Sequence, residues 1–111
     1  MTTESISIVV KRLADEVKSI FGTDLKKVIL YGSCARGDFS SDSDIDVMIL
    51  LDIPQENLPS ARKMVMDVSD RLDLKYDVVL TPVVQTYRNF EYYRAASVFY
   101  QNIEKEGVLF A

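Results

Sequence analysis

Two aspartates on one face of a predicted strand are the residues of this sequence best placed to do chemistry. Asp44 and Asp46 open the apolar run Ile45–Leu51, with one residue between them. Successive side chains of a strand point to opposite faces, so the two carboxylates share a face, with Cα atoms roughly 6.5 Å apart. Carboxylates this close repel each other unless a cation lies between them. The pair therefore predicts a divalent metal site.

A glycine-serine turn lies upstream of these aspartates. Gly32 and Ser33 follow the apolar run Lys27–Tyr31, and a polar, turn-rich segment over residues 37–43 leads on to Asp44. Glycine lets the backbone approach a phosphate closely, and serine adds a hydroxyl donor. The turn therefore predicts phosphate-binding groups beside the metal site.

Two common phosphate and metal motifs do not explain this stretch. Residues 32–37 match the glycine spacing that opens a P-loop, but Asp38 stands where the lysine is needed. Residues 42–46 match the opening of an EF-hand calcium loop, but Val47 replaces its glycine and Ile53 its final glutamate. Both interpretations therefore fail.

Helical and strand patterns alternate along the chain. Apolar residues at three- and four-residue steps predict helices, and short continuous apolar runs predict buried strands. The predicted elements are a helix over Ile6–Phe21, strands over Lys27–Tyr31 and Ile45–Leu51, a helix over Ser60–Leu72, a strand over Tyr76–Leu80 ended by Thr81-Pro82, and a helix over Tyr93–Glu106. This alternation indicates an α/β arrangement with helices on a small sheet, and it leaves the strand order open.

Composition narrows the possible functions. The 111 residues carry 13 basic and 17 acidic side chains, a net charge of −4, which argues against a large nucleic-acid face. The absence of histidine excludes a Ser-His-Asp triad and the usual zinc sites. The single cysteine, Cys34, excludes an internal disulfide and is expected to be a small packed residue.

Length and hydropathy predict one small cytoplasmic domain. The 111 residues fit a single core over residues 1–111, to which a partner or homo-oligomerisation could add stability. No run approaches the roughly 20 apolar residues of a membrane helix. The N-terminus also lacks the basic-then-apolar layout of a signal peptide.

The stretch GSCARGDFSSDSDIDVMI over residues 32–49 resembles a known signature. It is similar to that of the minimal nucleotidyltransferase (MNT) domains of the polymerase-beta-like nucleotidyltransferase superfamily, written roughly GSxARGxxxxxSDxDxxV. The matching positions are Gly32, Ser33, Ala35, Arg36, Gly37, Ser43, Asp44, Asp46 and Met48-Ile49. The likeness covers the whole chain, including the C-terminal run NIEKEGVLF.

The resemblance implies both a fold and a reaction. The fold is the α/β (α+β) nucleotidyltransferase fold, a small mixed sheet of three core strands with helices packed against it. The reaction moves a nucleoside monophosphate, AMP from ATP in the leading hypothesis, to an acceptor hydroxyl and releases pyrophosphate. Such phosphoryl transfers depend mainly on positioning and on neutralising phosphate charge.

The resemblance also implies roles for individual residues. Asp44 and Asp46 would bind two Mg²⁺ ions, and Asp77, in KYDVVL, would supply the third carboxylate from a neighbouring strand and could take the acceptor proton. Asp73, four residues earlier, competes for that role. An aspartate inside an apolar run needs a reason, which favours Asp77.

Four further residues complete the predicted nucleotide site. Gly32 and Ser33 would contact the triphosphate, and Ser43 belongs to the same signature. For Arg36, a phosphate contact and a surface ion pair with Asp38 are equally good interpretations.

The resemblance extends to a biological setting. Minimal nucleotidyltransferase domains commonly act as antitoxins beside a helical HEPN-type toxin ribonuclease, and the resemblance implies that AMP is attached to a toxin tyrosine. Two alternatives stay open: a binding module that masks its toxin without catalysis, and the catalytic subunit of a small-molecule, antibiotic-modifying nucleotidyltransferase. The sequence leaves open the acceptor, the base preference, the oligomeric state and whether the chain is active without a partner.

Overall fold

The computed structural model describes residues 1–111, which form five α-helices around a four-stranded sheet. The helices are α1 (Thr3–Phe21), α2 (Ser33–Arg36), α3 (Leu58–Tyr76), α4 (Tyr87–Tyr93) and α5 (Val98–Glu106). The strands are β1 (Leu25–Tyr31), β2 (Ile45–Leu51), β3 (Leu80–Thr86) and β4 (Val108–Leu109). None of the helices combines the length and apolar character needed to cross a bilayer.

The sheet is mixed, as predicted. Its strand order is β3-β2-β1-β4, with β2 and β3 parallel and the other two pairs antiparallel. The register pairs Tyr31 with Asp46 and Asp46 with Thr81. Three residues from three strands therefore lie side by side at one end of the sheet.

The two faces of the sheet carry separate apolar clusters. On one face, helices α1 and α3 bury β2 residues such as Val47 and Ile49 in a cluster of 20 buried residues. On the other, Met48 and Leu50 pack with Phe90 of α4 in a cluster of five. Side chains alternate along a strand, so Asp46 points to the same face as Met48 and Leu50. Burial on both faces explains why β2 is almost continuously apolar.

The predicted strand over Tyr76–Leu80 is wrong. Helix α3 continues to Tyr76, and Asp77 follows it in the left-handed conformation, with φ of 53°. The strand begins at Leu80 and runs through Pro82 to Thr86. Proline is tolerated there because β3 is the edge strand of the sheet, where not every backbone nitrogen must donate to the ladder.

The other predictions differ from the structure mainly at element ends. β2 has the predicted bounds, whereas the long α3 extends beyond the predicted Ser60–Leu72 at both ends. The single helix predicted over Tyr93–Glu106 ends where predicted but starts too early, because α4 ends at Tyr93 and α5 begins only at Val98. Ser97 begins the second helix: its hydroxyl accepts a hydrogen bond from the Tyr100 backbone N–H at 3.2 Å.

Candidate active site

Asp46 is held in place by the strand beside it. Thr81 Oγ1 donates a hydrogen bond of 2.7 Å to Asp46 Oδ1, across the parallel β2–β3 pair. The same hydroxyl also lies 3.3 Å from the Ile45 carbonyl oxygen. A bond to an ionised carboxylate is shorter and stronger than a neutral one, so the carboxylate is the preferred acceptor. Thr81 therefore restricts the orientation of the half-buried Asp46.

The other oxygen of Asp46 faces the glycine-serine turn. Gly32 has φ of 73°, and a Cβ built on it would lie 2.6 Å from Asp46 Oδ2. Any side chain at this position would collide with the carboxylate and would also strain the backbone. A side chain at Gly32 would therefore have to shift the Asp46 carboxylate, whose other oxygen is held by Thr81. The Asp46 carboxylate is confined between the Gly32 backbone and the Thr81 hydroxyl.

Asp44 is exposed and lies directly before the first residue of β2, and its backbone carbonyl is hydrogen-bonded to Cys34. The Cys34 thiol donates to the Asp44 carbonyl oxygen at 3.5 Å, which joins α2 to the loop before β2. Cys34 is buried, and burial, followed by the negative charge of Asp46, raises the pKa of its thiol. The prediction of a small packed cysteine is confirmed. The Asp44 side chain is exposed and can reach a ligand.

Ser43 has a structural role in the same loop. Its hydroxyl accepts a hydrogen bond of 2.9 Å from the Ser40 backbone N–H and so closes the turn before Asp44. Ser33, at the first position of α2, is half-buried beside Gly32. Contact of either serine with a nucleotide stays a prediction.

Tyr31 completes the row of residues at this end of the sheet. Burial, followed by the negative charge of Asp46, raises its pKa to about 12. The phenol therefore stays protonated near neutral pH and adds no negative charge beside the two aspartates. Its ring meets that of Phe99 edge-on, with centroids 5.7 Å apart.

Arg36 joins the turn to the C-terminal helix. Its guanidinium lies 3.3 Å from Asp38 Oδ2, the pair anticipated from the sequence, and 3.3 Å from Glu106 Oε2 on α5. Hydrogen bonds to Asp38 and then to Glu106 raise the pKa of Arg36. The Glu106 contact spans 70 positions of the chain, and no local pattern could have revealed it.

The three predicted carboxylates do not form a metal-binding cluster in this structure. No group of three or more His, Cys, Asp or Glu side chains is placed to hold a metal ion. Asp77 is exposed at the end of α3, where it lines a cavity of about 700 Å³ with Ile8 of α1 and with Asp42 and Ser43 of the loop before Asp44. The position beside Asp46 on the neighbouring strand belongs to Thr81. The sequence pattern does not reveal Thr81, because a proline at position 82 predicts the end of the strand.

Asp73, the competing candidate, has a structural contact. Its Oδ1 accepts a hydrogen bond of 2.9 Å from the Leu80 backbone N–H and so anchors the first residue of β3 to helix α3. Burial raises the pKa of Asp73, against the lowering effect of this hydrogen bond, and the nearby charge of Asp70 raises it further. Asp73 therefore positions the strand that carries Thr81.

Comparison with known proteins shows the family of this chain. A family model described as a nucleotidyltransferase domain matches residues 10–109, nearly the whole chain. The chain belongs to this family. The nucleotidyltransferase is 35% identical, over 98 residues, to a candidate protein adenylyltransferase of Methanocaldococcus jannaschii, a match that covers 88% of this chain and 90% of the relative.

Solved structures share the fold of this nucleotidyltransferase. A toxin–antitoxin complex with AMP-PNP matches with a TM-score of 0.60 and 22% identity, over 91% of this chain and 72% of the other. A tri-AMPylated HEPN toxin in complex with an MNT antitoxin, from Shewanella oneidensis, matches with a TM-score of 0.55 and 19% identity, over 95% of this chain and 71% of the other. At these identities the likeness shows the fold.

The donor set of the nucleotidyltransferase suits magnesium. Mg²⁺ is usually held by one or two carboxylates together with substrate phosphates and water, and seldom by a complete protein cage. Asp44 and Asp46 offer two carboxylates at the N-terminal end of β2. Because the orientation of Asp46 is already restricted, less conformational entropy is lost when the pair binds a cation. The residues present therefore fit a cation shared with a phosphate ligand.

Proposed function

We propose that this chain transfers AMP from ATP, in the presence of Mg²⁺, to a hydroxyl of a partner protein. The observation that carries the proposal is the confinement of Asp46 between Thr81 and Gly32, with Asp44 two residues away at the same strand entrance. A carboxylate preset in this way can meet a metal–triphosphate complex without first losing side-chain freedom. The family match and the named adenylyltransferase relative support the same activity.

The donor side of the reaction uses the residues around the turn. Asp44 and Asp46 hold up to two Mg²⁺ ions, which when bound neutralise charge on the phosphate oxygens. Gly32 and Ser33 contact the triphosphate, with Ser43 shaping the loop that carries Asp44. The exposed Arg36 can add a phosphate contact by exchanging one of its two ion pairs. Asp77 stays a candidate third carboxylate.

The chemical step is a displacement at the α-phosphorus of ATP. The acceptor hydroxyl oxygen forms a bond to the α-phosphorus. The bond between the α-phosphorus and the oxygen that bridges it to the β-phosphate breaks, so pyrophosphate leaves. The hydroxyl proton passes to a carboxylate of the site or to water. The chain positions both oxygens and supports the charge that builds on the phosphate.

A HEPN-type toxin is the acceptor that we favour, with one of its tyrosines receiving AMP. The support comes from the structural neighbours, which include a complex of an MNT antitoxin with a tri-AMPylated HEPN toxin and a toxin–antitoxin complex with AMP-PNP. In this setting the chain is the antitoxin, and the modification neutralises the toxin.

Label transfer tests the proposal. The chain is incubated with Mg²⁺, ATP labelled at the α-phosphate and the protein encoded beside its gene. The substitutions Asp44→Asn and Asp46→Asn keep the side-chain size, remove the charge, and should each lower transfer about 100-fold or more. Asp42→Asn is the matched control, because Asp42 is exposed in the same loop but lies outside the pair.

Other outcomes point to the alternatives. If toxin neutralisation survives both substitutions and no label moves, the chain is a binding module that acts by contact. If label moves only to a small alcohol added to the same assay, the chain is the catalytic subunit of a small-molecule nucleotidyltransferase. Either result would overturn the proposal that this chain adenylylates a partner protein.

A further inference from the structure

A second, smaller cavity opens beside the glycine-serine turn. It has a volume of about 190 Å³ and lies between the end of β1 and helix α5. Tyr31 and Gly32 line one side, and Phe99 and Asn102 line the helix side. Because Gly32 borders both this cavity and the Asp46 carboxylate, a ligand whose phosphates lie at the turn can extend directly into the cavity.

The size of the cavity limits what part of a ligand it can take. Pockets that enclose whole drug-sized molecules usually measure about 300–1,000 Å³. A cavity of about 190 Å³ is smaller than this range, so it suits one ring system better than a complete nucleotide. The sugar and phosphates of a nucleotide would lie outside it, toward the turn and the two aspartates.

Two aromatic side chains, those of Tyr31 and Phe99, line the cavity. Phe99 is 48% exposed, and its ring packs at 81° to that of Tyr31. The ring of Tyr100 also lies against Phe99, with centroids 5.8 Å apart. These contacts hold the Phe99 ring while leaving part of it uncovered. Nucleobases stack on such rings.

The polar groups at the rim suit a neutral base. Asn102 is exposed and lines the cavity, so its amide can donate and accept at once. This donor–acceptor pair matches the paired amino and ring-nitrogen groups of adenine. The charges of Arg36 and Glu106, also at the rim, are paired with each other. The cavity therefore offers an uncharged ring system both a stacking surface and a directional contact.

We propose that this cavity binds the adenine ring of the nucleotide donor, with Phe99 as the stacking residue and Asn102 as the residue that selects adenine. The inference deepens the proposed function and rests on it. It assigns the base preference that the motif over residues 32–46 leaves open, because that motif concerns only phosphates and metal.

Binding measurements on the full chain test the assignment. Dissociation constants are measured by titration calorimetry, with Mg²⁺, for ATP, GTP and inorganic tripolyphosphate, which carries the phosphates without a base. Phe99→Ala should weaken ATP binding about 10-fold and leave tripolyphosphate binding unchanged. Asn102→Ala should reduce the preference for ATP over GTP about 10-fold. Phe99→Tyr keeps the stacking surface and should bind ATP as the wild type does.

Tyr92→Ala is the matched control, because Tyr92 is 78% exposed on α4 and does not line the cavity. ATP binding that is unaffected by both Phe99→Ala and Asn102→Ala would overturn the base site while leaving the phosphate site and the proposed function standing. Equal weakening of ATP and tripolyphosphate by Phe99→Ala would also overturn it, as a general structural effect. A wild-type chain that binds neither ligand would overturn the proposed function, and the base site with it.

Discussion

Thr81 and Asp46 are paired residues on two parallel strands, and the threonine hydroxyl donates a 2.7 Å hydrogen bond to the aspartate carboxylate. This contact crosses 35 positions of the chain. It makes β3 a structural support for the candidate metal ligand, even though β3 brings no carboxylate of its own next to Asp46.

Replacing this hydroxyl should impair catalysis more than folding. Thr81→Val keeps the shape of the side chain and removes the donor, so Asp46 can turn away from its productive orientation. We expect AMP transfer to fall about 10-fold, the usual cost of losing a group that orients a metal ligand. Thr81→Ser restores the hydroxyl and should recover most of the rate. Initial rates at saturating ATP and Mg²⁺ measure both, and a serine variant as slow as the valine variant would contradict this role.

Gly32→Ala should be more damaging than the same change at another glycine with positive φ. At Gly32 the new methyl group would meet Asp46 Oδ2 as well as an unfavourable backbone, whereas Gly22, with φ of 57°, has open space around it. We expect Gly22→Ala to cost about 1 kcal/mol of unfolding free energy and to leave activity intact. Gly32→Ala should cost more and abolish AMP transfer. Urea unfolding and rate measurements on both variants make the comparison. Equal losses of stability and activity in the two variants would show that contact with Asp46 does not matter.

Asp77→Asn tests the third carboxylate. Asp77 occupies a left-handed helix cap, where asparagine is well tolerated, so the variant should fold normally. Because Asp77 lies outside any acidic cluster, we expect AMP transfer to change less than about 3-fold, against the large losses at Asp44 and Asp46. A loss as large as that of Asp46→Asn would restore Asp77 to the active site and would imply that substrate binding moves the end of α3.

Ionisation of Asp73 should contribute to the pH dependence of the free energy of unfolding. Its pKa is raised in the folded chain, chiefly by burial, so the folded state holds this proton more tightly than the unfolded state. The contribution of Asp73 to the free energy of unfolding should therefore be greatest below the ordinary aspartate pKa, and it should be lost as the pH rises through the raised pKa of the folded state. Asp73→Asn keeps an acceptor for the Leu80 N–H and removes this decline. Urea unfolding across about pH 3 to pH 7 measures it.

An alanine at the same position separates the charge of Asp73 from its hydrogen bond. Asp73→Ala leaves the N–H of the buried Leu80 without its partner, which should cost about 1–3 kcal/mol at neutral pH. Equal stability of the alanine and asparagine variants would show that the hydrogen bond contributes little.

Local sequence pattern was sufficient for much of this protein. The bounds of β2, the turn at Gly32 and the two spaced aspartates could all be read from the chain, because each depends on near neighbours: side-chain alternation, backbone freedom and apolar runs. The resemblance carried by these residues also predicted the family that the comparison found.

The tertiary structure decided which distant residues meet. Whether Pro82 ends a strand depends on whether that strand lies at the sheet edge, and whether Thr81 faces Asp46 depends on the register of two strands joined through α3. The pairing of Arg36 with Glu106 depends likewise on where α5 packs. Periodicity shows which residues are buried but does not specify strand order or register. Those are selected by the packing of the whole core, which is why the aspartate pair was predictable and its threonine support was not.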